Sequence, residues 1–146
     1  MRSAHQIGKI KMNDHLDLKR FIRTVNDFPI KGIKFRDITS LIEHPIAFQR
    51  TCNELTKITK KFDGNIVASI ESRGFIFAGT IARDLGLPFV LARKPGKLPN
   101  ETYKKSFDLE YGSTSIEIQK NTQIKSNDKI VIVDDLVATG GTAIAC

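Results

Sequence analysis

The sequence has 146 residues, a formal net charge of +7 at pH 7 and 40% hydrophobic residues. That length and composition predict one globular domain, residues 1–146, with a single core. No apolar run approaches the roughly 20 residues of a membrane span, and residues 1–12 are too polar for a signal peptide, so we expect a cytoplasmic protein without a membrane partner. Cys52 and Cys146 lack the spacing of a zinc site or a disulfide framework, and Cys52 is expected to pack in a helix.

The N-terminal segment has the pattern of a helix. Asn13 or Asp14 can cap a helix that continues to about Asn26. Apolar residues recur there at helical spacing, namely Leu18, Phe21, Ile22 and Val25. Pro29 ends this helix, and the Pro and Gly residues that follow predict an irregular segment over 28–39.

The rest of the chain alternates helices and strands. A second helix is expected to begin at Pro45 and to stop at Gly64. The later predicted elements are a strand over 65–70, a helix over 75–85, a strand over 89–92, two strands over 107–111 and 115–119 about a turn at Gly112 and Ser113, and a strand over 130–133. This order predicts an α/β fold whose mainly parallel sheet is flanked by helices and carries an antiparallel excursion.

Two adjacent carboxylates follow the last predicted strand. Residues 130–133 form an uninterrupted β-branched run, typical of a parallel strand buried on both faces, which places Asp134 and Asp135 at its carboxyl end. Ligands bind at that end in open α/β sheets. The next turn offers backbone N–H groups to a phosphate through Ala138, Thr139, Gly140, Gly141 and Thr142. A sugar-phosphate site is therefore predicted, although magnesium ligands of a phosphoryl-transfer enzyme or solvated strand-end acids remain alternatives.

Two further segments are suited to anions. Ser72 and Arg73 follow the strand over 65–70, where a surface arginine that caps a helix is the alternative interpretation. Residues 93–105 carry five basic residues and one acidic residue, a net charge of +4 out of the total of +7. This basic loop fits a small polyanion at least as well as a nucleic-acid backbone, and a solvated lysine loop is its alternative. Neither a P-loop nor a Gly-x-Gly-x-x-Gly sequence occurs.

Residues 131–142 closely resemble the phosphoribosyl pyrophosphate motif of type I phosphoribosyltransferases, a Rossmann-like architecture. The resemblance implies that Asp134 and Asp135 bind the ribose hydroxyls and that the following turn binds the 5′-phosphate. Further segments, in the same order, are similar to the adenine phosphoribosyltransferases of that family: residues 28–39, 71–75, 93–99, 109–112 and 117–120.

The same resemblance implies roles for the remaining candidate residues. Phe35 would stack on adenine while Lys34 and Arg36 contact the edge of the base, although a core Phe35 and a surface Arg36–Asp37 pair fit the spacing equally well. Glu110 would be the catalytic acid or base, against the alternative of a solvated acid at a strand edge. Tyr111 would help to close the basic loop. The residues implied to bind pyrophosphate are Ser72, Arg73, Arg93, Lys94 and Lys97.

The implied reaction converts adenine and phosphoribosyl pyrophosphate into AMP and pyrophosphate, as in purine salvage, with magnesium carried by the phosphosugar and no metal ligand expected from the protein. A homodimer is implied, and nucleic acid is not expected as a partner. The chain ends four residues after Thr142, which leads us to expect a C-terminally truncated domain. A phosphoribosyl-pyrophosphate-binding regulator, an inactive fragment of the enzyme and a transferase for another purine remain open.

Overall fold

The computed structural model describes residues 16–109, 112–137 and 141–146. The described residues divide into two compact units, one that ends at Glu54 and one that runs from Leu55 to Cys146, and the boundary lies within a helix. The N-terminal unit contains a short 3-10 helix (Leu18–Phe21), β1 (Arg23–Asn26), β2 (Lys34–Asp37), α1 (Thr39–Glu43) and the start of α2 (Pro45–Lys60). The C-terminal unit contains β3 (Ile66–Ile70), α3 (Gly74–Leu85), β4 (Phe89–Ala92), β5 (Thr102–Leu109), β6 (Gly112–Gln119), β7 (Ile130–Ile132) and α4 (Gly141–Ala145).

The prediction of a long first helix is wrong, because only the short 3-10 helix over Leu18–Phe21 forms there. The Asp17 side chain accepts the Lys19 N–H and caps only the 3-10 helix, after which β1 pairs antiparallel with β2. The prediction of an irregular segment over 28–39 is likewise wrong at β2 and at the start of α1. Cross-strand pairing outweighs the helical spacing of the apolar residues because each β1 residue gains a partner on β2, as in the ion pair of 2.8 Å between Arg23 and Asp37.

The second predicted helix is confirmed as α2, which begins at Pro45 and ends at Lys60, before the turn that leads to Gly64. Cys52 is buried in this helix, as expected, and neither Cys52 nor Cys146 is in a disulfide bond. No helix in the described part of the chain is long and apolar enough to cross a membrane.

The C-terminal unit contains a parallel sheet in the order β4-β3-β7. The central strand β3 is buried throughout, α3 packs against it, and the buried residues of α3 include Phe77, Ala78 and Ile81. Gly86 ends α3 in the left-handed conformation with φ 67°, which a glycine adopts without strain. The predicted strands and helix in this region are confirmed, and with them the mainly parallel α/β fold.

The last strand of the sheet is less buried than its sequence predicts. β7 pairs with β3 only, and Ile130 and Ile132 remain 42% and 39% exposed, whereas Val133 is buried. Val133 therefore meets the expectation of burial, whereas Ile130 and Ile132 do not. A β-branched run indicates an extended backbone, but the burial of its side chains depends on neighbours that lie elsewhere in the chain.

The antiparallel excursion is a hairpin longer than predicted. β5 and β6 pair from Thr102↔Gln119 to Leu109↔Gly112, so Lys104 and Lys105 lie in a strand instead of the predicted basic loop. Gly112 begins β6 and does not belong to the turn predicted for it. On β6, Ile116 is buried against Ile70 and Ala92, a cluster that also contacts α4. The hairpin is thereby joined to the core of this unit.

Candidate active site

The three parallel strands direct their carboxyl ends to one edge of the sheet, where α/β proteins bind ligands. Glu71, Ser72 and Arg73 follow β3, Arg93 follows β4, and Asp134 and Asp135 follow β7 after one residue. Two ion pairs join these segments: Arg73 to Asp135 at 3.0 Å, and Arg93 to Glu71 at 3.1 Å. The structure thus brings Arg73, Arg93, Asp134 and Asp135 to the same edge of the sheet.

The two aspartates differ in environment. The Asp135 side chain is 7% exposed and carries the ion pair with Arg73, whose side chain is 32% exposed. Asp134 accepts the Asp135 N–H at Oδ1, at 2.8 Å. Burial raises the pKa of Asp134 above its usual value, and the neighbouring Asp135 carboxyl adds to the rise, whereas the Asp135 N–H and Arg73 oppose it.

Gly74 allows Asp134 to approach the start of α3. A Cβ at Gly74 would lie 2.5 Å from Asp134 Oδ1 and 2.5 Å from Ser69 Oγ, closer than side chains tolerate. The Ser69 hydroxyl is buried and has no hydrogen-bond partner among the described residues. The missing side chain of Gly74 therefore leaves the space that these two polar groups occupy.

The segment after β4 is held by backbone and carboxylate contacts. Arg93 and Glu117 exchange backbone hydrogen bonds of 2.9 and 2.7 Å, and Arg93 Nη1 donates to the Lys97 carbonyl at 2.9 Å. Gly96 N–H donates to Glu117 Oε2 at 3.2 Å. Lys94 and Lys97 are exposed, so their charges face solvent from a fixed turn.

The predicted adenine residues lie in the N-terminal unit, on β2. Phe35 is half-buried and meets the Phe28 ring edge-on, with centroids 5.1 Å apart, while Lys34 is exposed. The Arg36 guanidinium donates to the Thr24 hydroxyl. The charged partner of Asp37 is Arg23, so the alternative Arg36–Asp37 pair is not found. Hydrogen bonds from Thr39, together with Arg23, hold the pKa of Asp37 below its usual value.

Several candidates lie outside the described residues, namely Glu110, Tyr111, Ala138, Thr139 and Gly140. Gly141 and Thr142, the last residues of the predicted phosphate turn, begin α4, where the Thr142 carbonyl accepts the Cys146 N–H at 3.1 Å. No role was assigned to Glu71 or Glu117 in the sequence analysis. An acid placed directly after a buried strand and beside an arginine was the available signal for Glu71.

Comparison with known proteins identifies the class. The family model of the phosphoribosyl transferase domain matches residues 44–146, so the chain belongs to that family and has the type I phosphoribosyltransferase fold. Adenine phosphoribosyltransferase of Butyrivibrio fibrisolvens is 50% identical over 122 residues, which are 84% of this chain and 67% of the relative. Within the family, the chain belongs to the adenine phosphoribosyltransferases.

Solved structures agree with this assignment. The crystal structure of adenine phosphoribosyltransferase from Thermoanaerobacter pseudethanolicus superposes with a TM-score of 0.83 at 45% identity, over 88% of this chain and 74% of that one. The Saccharomyces cerevisiae enzyme, solved with adenine and an imino-altritol bisphosphate, gives a TM-score of 0.79 at 39% identity, over 88% and 74% of the two chains. The expected family is thereby confirmed.

The raised pKa of Asp134 predicts that this residue lowers the stability of the folded protein as the pH rises. A carboxyl whose pKa is raised by folding stabilises the protein fully below its unfolded pKa of about 3.9, and that contribution is lost as the pH rises through the folded value. We therefore expect Asp134→Asn to have a higher free energy of unfolding than wild type, and we expect this difference to grow between about pH 3.5 and pH 7. Urea unfolding followed by circular dichroism measures it.

Asp63→Asn is the matched control, because it makes the same substitution at a side chain that is 91% exposed. A constant difference between wild type and Asp134→Asn across that pH range would contradict the assigned burial cost. An acid that destabilises the folded chain at neutral pH and is nevertheless present is consistent with a binding role.

Proposed function

We propose that this chain transfers the phosphoribosyl group of phosphoribosyl pyrophosphate to adenine, giving AMP and pyrophosphate, a reaction of purine salvage. The observation that supports the proposal is the ion pair of 3.0 Å between Arg73 and Asp135, a cation suited to pyrophosphate beside a carboxylate suited to ribose hydroxyls. Relatives that are 45–50% identical and named adenine phosphoribosyltransferase support the choice of base.

In this reaction N9 of adenine forms a bond to C1′ while the bond from C1′ to the pyrophosphate oxygen breaks, and its electron pair leaves with pyrophosphate. Glu110 accepts the proton from the purine ring. Asp134 and Asp135 fix the ribose hydroxyls and stabilise the positive charge that develops on the ring. Phe35 packs against the purine, with Lys34 and Arg36 at its edge.

The phosphates are bound at two places. Charge-assisted hydrogen bonds to the leaving pyrophosphate are strong, and the residues proposed for them are Ser72, Arg73, Arg93, Lys94 and Lys97. The 5′-phosphate is bound through the backbone N–H groups of the segment that contains Ala138, Thr139, Gly140, Gly141 and Thr142. Tyr111 helps the basic segment, which begins at Arg93, to exclude water, and this protects the activated sugar from hydrolysis.

We also propose that magnesium accompanies phosphoribosyl pyrophosphate. Phosphoribosyl pyrophosphate supplies the phosphate oxygens that magnesium prefers, so the ion needs no ligand from the protein and keeps much of its water, while it offsets the charge of the leaving group.

A cytoplasmic location and a homodimer complete the proposal. Phosphoribosyl pyrophosphate is a polyanion and crosses membranes poorly, so its consumer works in the compartment that makes it. The homodimer rests on the family resemblance, and light scattering of the purified chain tests it.

The decisive test is AMP formation by the purified chain, of confirmed mass, from adenine, phosphoribosyl pyrophosphate and magnesium. Glu110→Ala is expected to lower kcat about a hundredfold, because general acid–base help is lost, and to leave the affinity for phosphoribosyl pyrophosphate within about twofold. Chromatographic assay of AMP and calorimetry measure the two quantities. An equal loss in both would contradict the role of Glu110, and wild type without AMP formation would refute the function.

A further inference from the structure

Glu71 makes contacts that no predicted role accounts for. It is the first residue after β3, and its N–H donates to the Ala92 carbonyl at 2.9 Å, which keeps its backbone in register with the end of β4. Its Oε1 accepts from Arg93 Nη2 at 3.1 Å, and its Oε2 accepts from the Lys94 N–H at 3.0 Å. Both carboxylate oxygens are therefore engaged by the segment that follows β4.

These contacts fix the start of the basic segment at two points. Arg93 is bound to Glu71 through Nη2 and to the Lys97 carbonyl through Nη1, so one guanidinium closes the turn from Arg93 to Lys97. Arg93 Nε is buried and has no hydrogen-bond partner among the described residues, so Nη1 and Nη2 make the contacts that hold the turn. The Glu71 side chain is 15% exposed, so solvent competes little for its hydrogen bonds.

The charge state of Glu71 agrees with these contacts. The Lys94 N–H, followed by Arg93, holds the pKa of Glu71 below its usual value, although burial opposes the shift. Glu71 is therefore ionised at neutral pH, when both of its hydrogen bonds are strongest.

We propose that Glu71 is a positioning residue for phosphoribosyl transfer: its carboxylate holds Arg93 and the Lys94 backbone so that the basic segment is preorganised for pyrophosphate. This inference rests on the proposed function. Glu71 itself does not touch the reacting atoms. It acts by reducing the conformational entropy that the turn from Arg93 to Lys97 would otherwise lose when pyrophosphate binds.

A simple charge argument predicts the opposite effect. An acid beside an anion site repels the anion, so removing Glu71 would tighten pyrophosphate binding if net charge alone decided affinity. If Glu71 competed with pyrophosphate for Arg93 Nη2, removing Glu71 would likewise tighten pyrophosphate binding. Positioning predicts weaker binding after removal, and the direction of the change therefore separates these explanations.

The experiment compares Glu71→Gln and Glu71→Ala with wild type. Glutamine keeps an acceptor for the Lys94 N–H and loses the charged contact to Arg93, so we expect the Kd for magnesium pyrophosphate and the KM for phosphoribosyl pyrophosphate to rise about tenfold. Alanine loses both contacts, and a rise of about thirtyfold is expected. In both variants kcat and the KM for adenine stay within about twofold.

Glu101→Gln is the matched control. Glu101 lies beyond the same turn and pairs with Lys120 at 3.2 Å, but its side chain is 85% exposed. The substitution Glu101→Gln removes the same charge as Glu71→Gln but breaks no buried contact. Pyrophosphate affinity is therefore expected to change by less than about twofold, toward tighter binding.

Calorimetry with magnesium pyrophosphate and steady-state kinetics give distinguishable outcomes. Wild type that forms AMP, together with Glu71 variants of unchanged or tighter pyrophosphate affinity, would overturn the positioning role alone. A parallel fall in kcat would also overturn it, since it would indicate general damage to the site. Wild type that forms no AMP would instead overturn the proposed function.

Discussion

Arg73→Ala is expected to lower the free energy of unfolding by about 3 kcal/mol, because it leaves the Asp135 carboxylate nearly buried and without its cation. AMP formation should fall at least about a thousandfold, since a charge-assisted contact to the leaving pyrophosphate is lost and Asp135 is no longer held in place. Urea unfolding and an AMP assay measure the two effects.

The double variant Arg73→Ala with Asp135→Asn separates structure from function. Asparagine removes the stranded charge, so most of the lost stability is expected to return, whereas activity is expected to stay as low as in the single variant. Arg83→Ala is the matched control, because Arg83 pairs with Asp84 at 2.6 Å but is 78% exposed, and a change below about 0.5 kcal/mol is expected. Recovery of activity in the double variant would show that Arg73 does not contact pyrophosphate.

The sequence predicted the elements whose signals are local. The strands β3 and β4 and the helix α3 have apolar runs bounded by Gly or Pro, and their observed limits fall within one residue of the predicted ones. Because parallel strands share a carboxyl edge, the proximity of Arg73 and Asp135 also followed from the order of the elements.

What the sequence did not predict depends on pairing between distant residues. The helical spacing of Leu18, Phe21 and Val25 is outweighed by the pairing of β1 with β2, and the length of the β5–β6 hairpin is set by its register. The role of Glu71 could not be read from its motif, because its partners Arg93 and Lys94 lie 22 and 23 residues further along the chain. A linear pattern indicates what a segment can form and leaves its partner undetermined.

Gly74→Ala is expected to destabilise the protein by about 2 kcal/mol, although alanine favours a helix over glycine by about 1 kcal/mol. The new Cβ would lie 2.5 Å from Asp134 Oδ1 and 3.1 Å from Asp134 Cα, so backbone as well as side chain must shift. Displacement of Asp134 by about 1 Å is expected to reduce kcat/KM for phosphoribosyl pyrophosphate about a hundredfold.

Gly79→Ala, in the same helix, tests whether the contact of the new methyl group with Asp134 is the cause. Its Cβ would meet Phe89 Cε1 at 3.7 Å, an ordinary contact, so the helix propensity should dominate and raise the free energy of unfolding by up to about 1 kcal/mol with activity unchanged. The two substitutions are chemically identical and differ only in what the methyl group meets. If Gly74→Ala proved as stable and active as Gly79→Ala, the space beside Asp134 would not require a glycine, and the close approach of Asp134 to α3 would be irrelevant to the site.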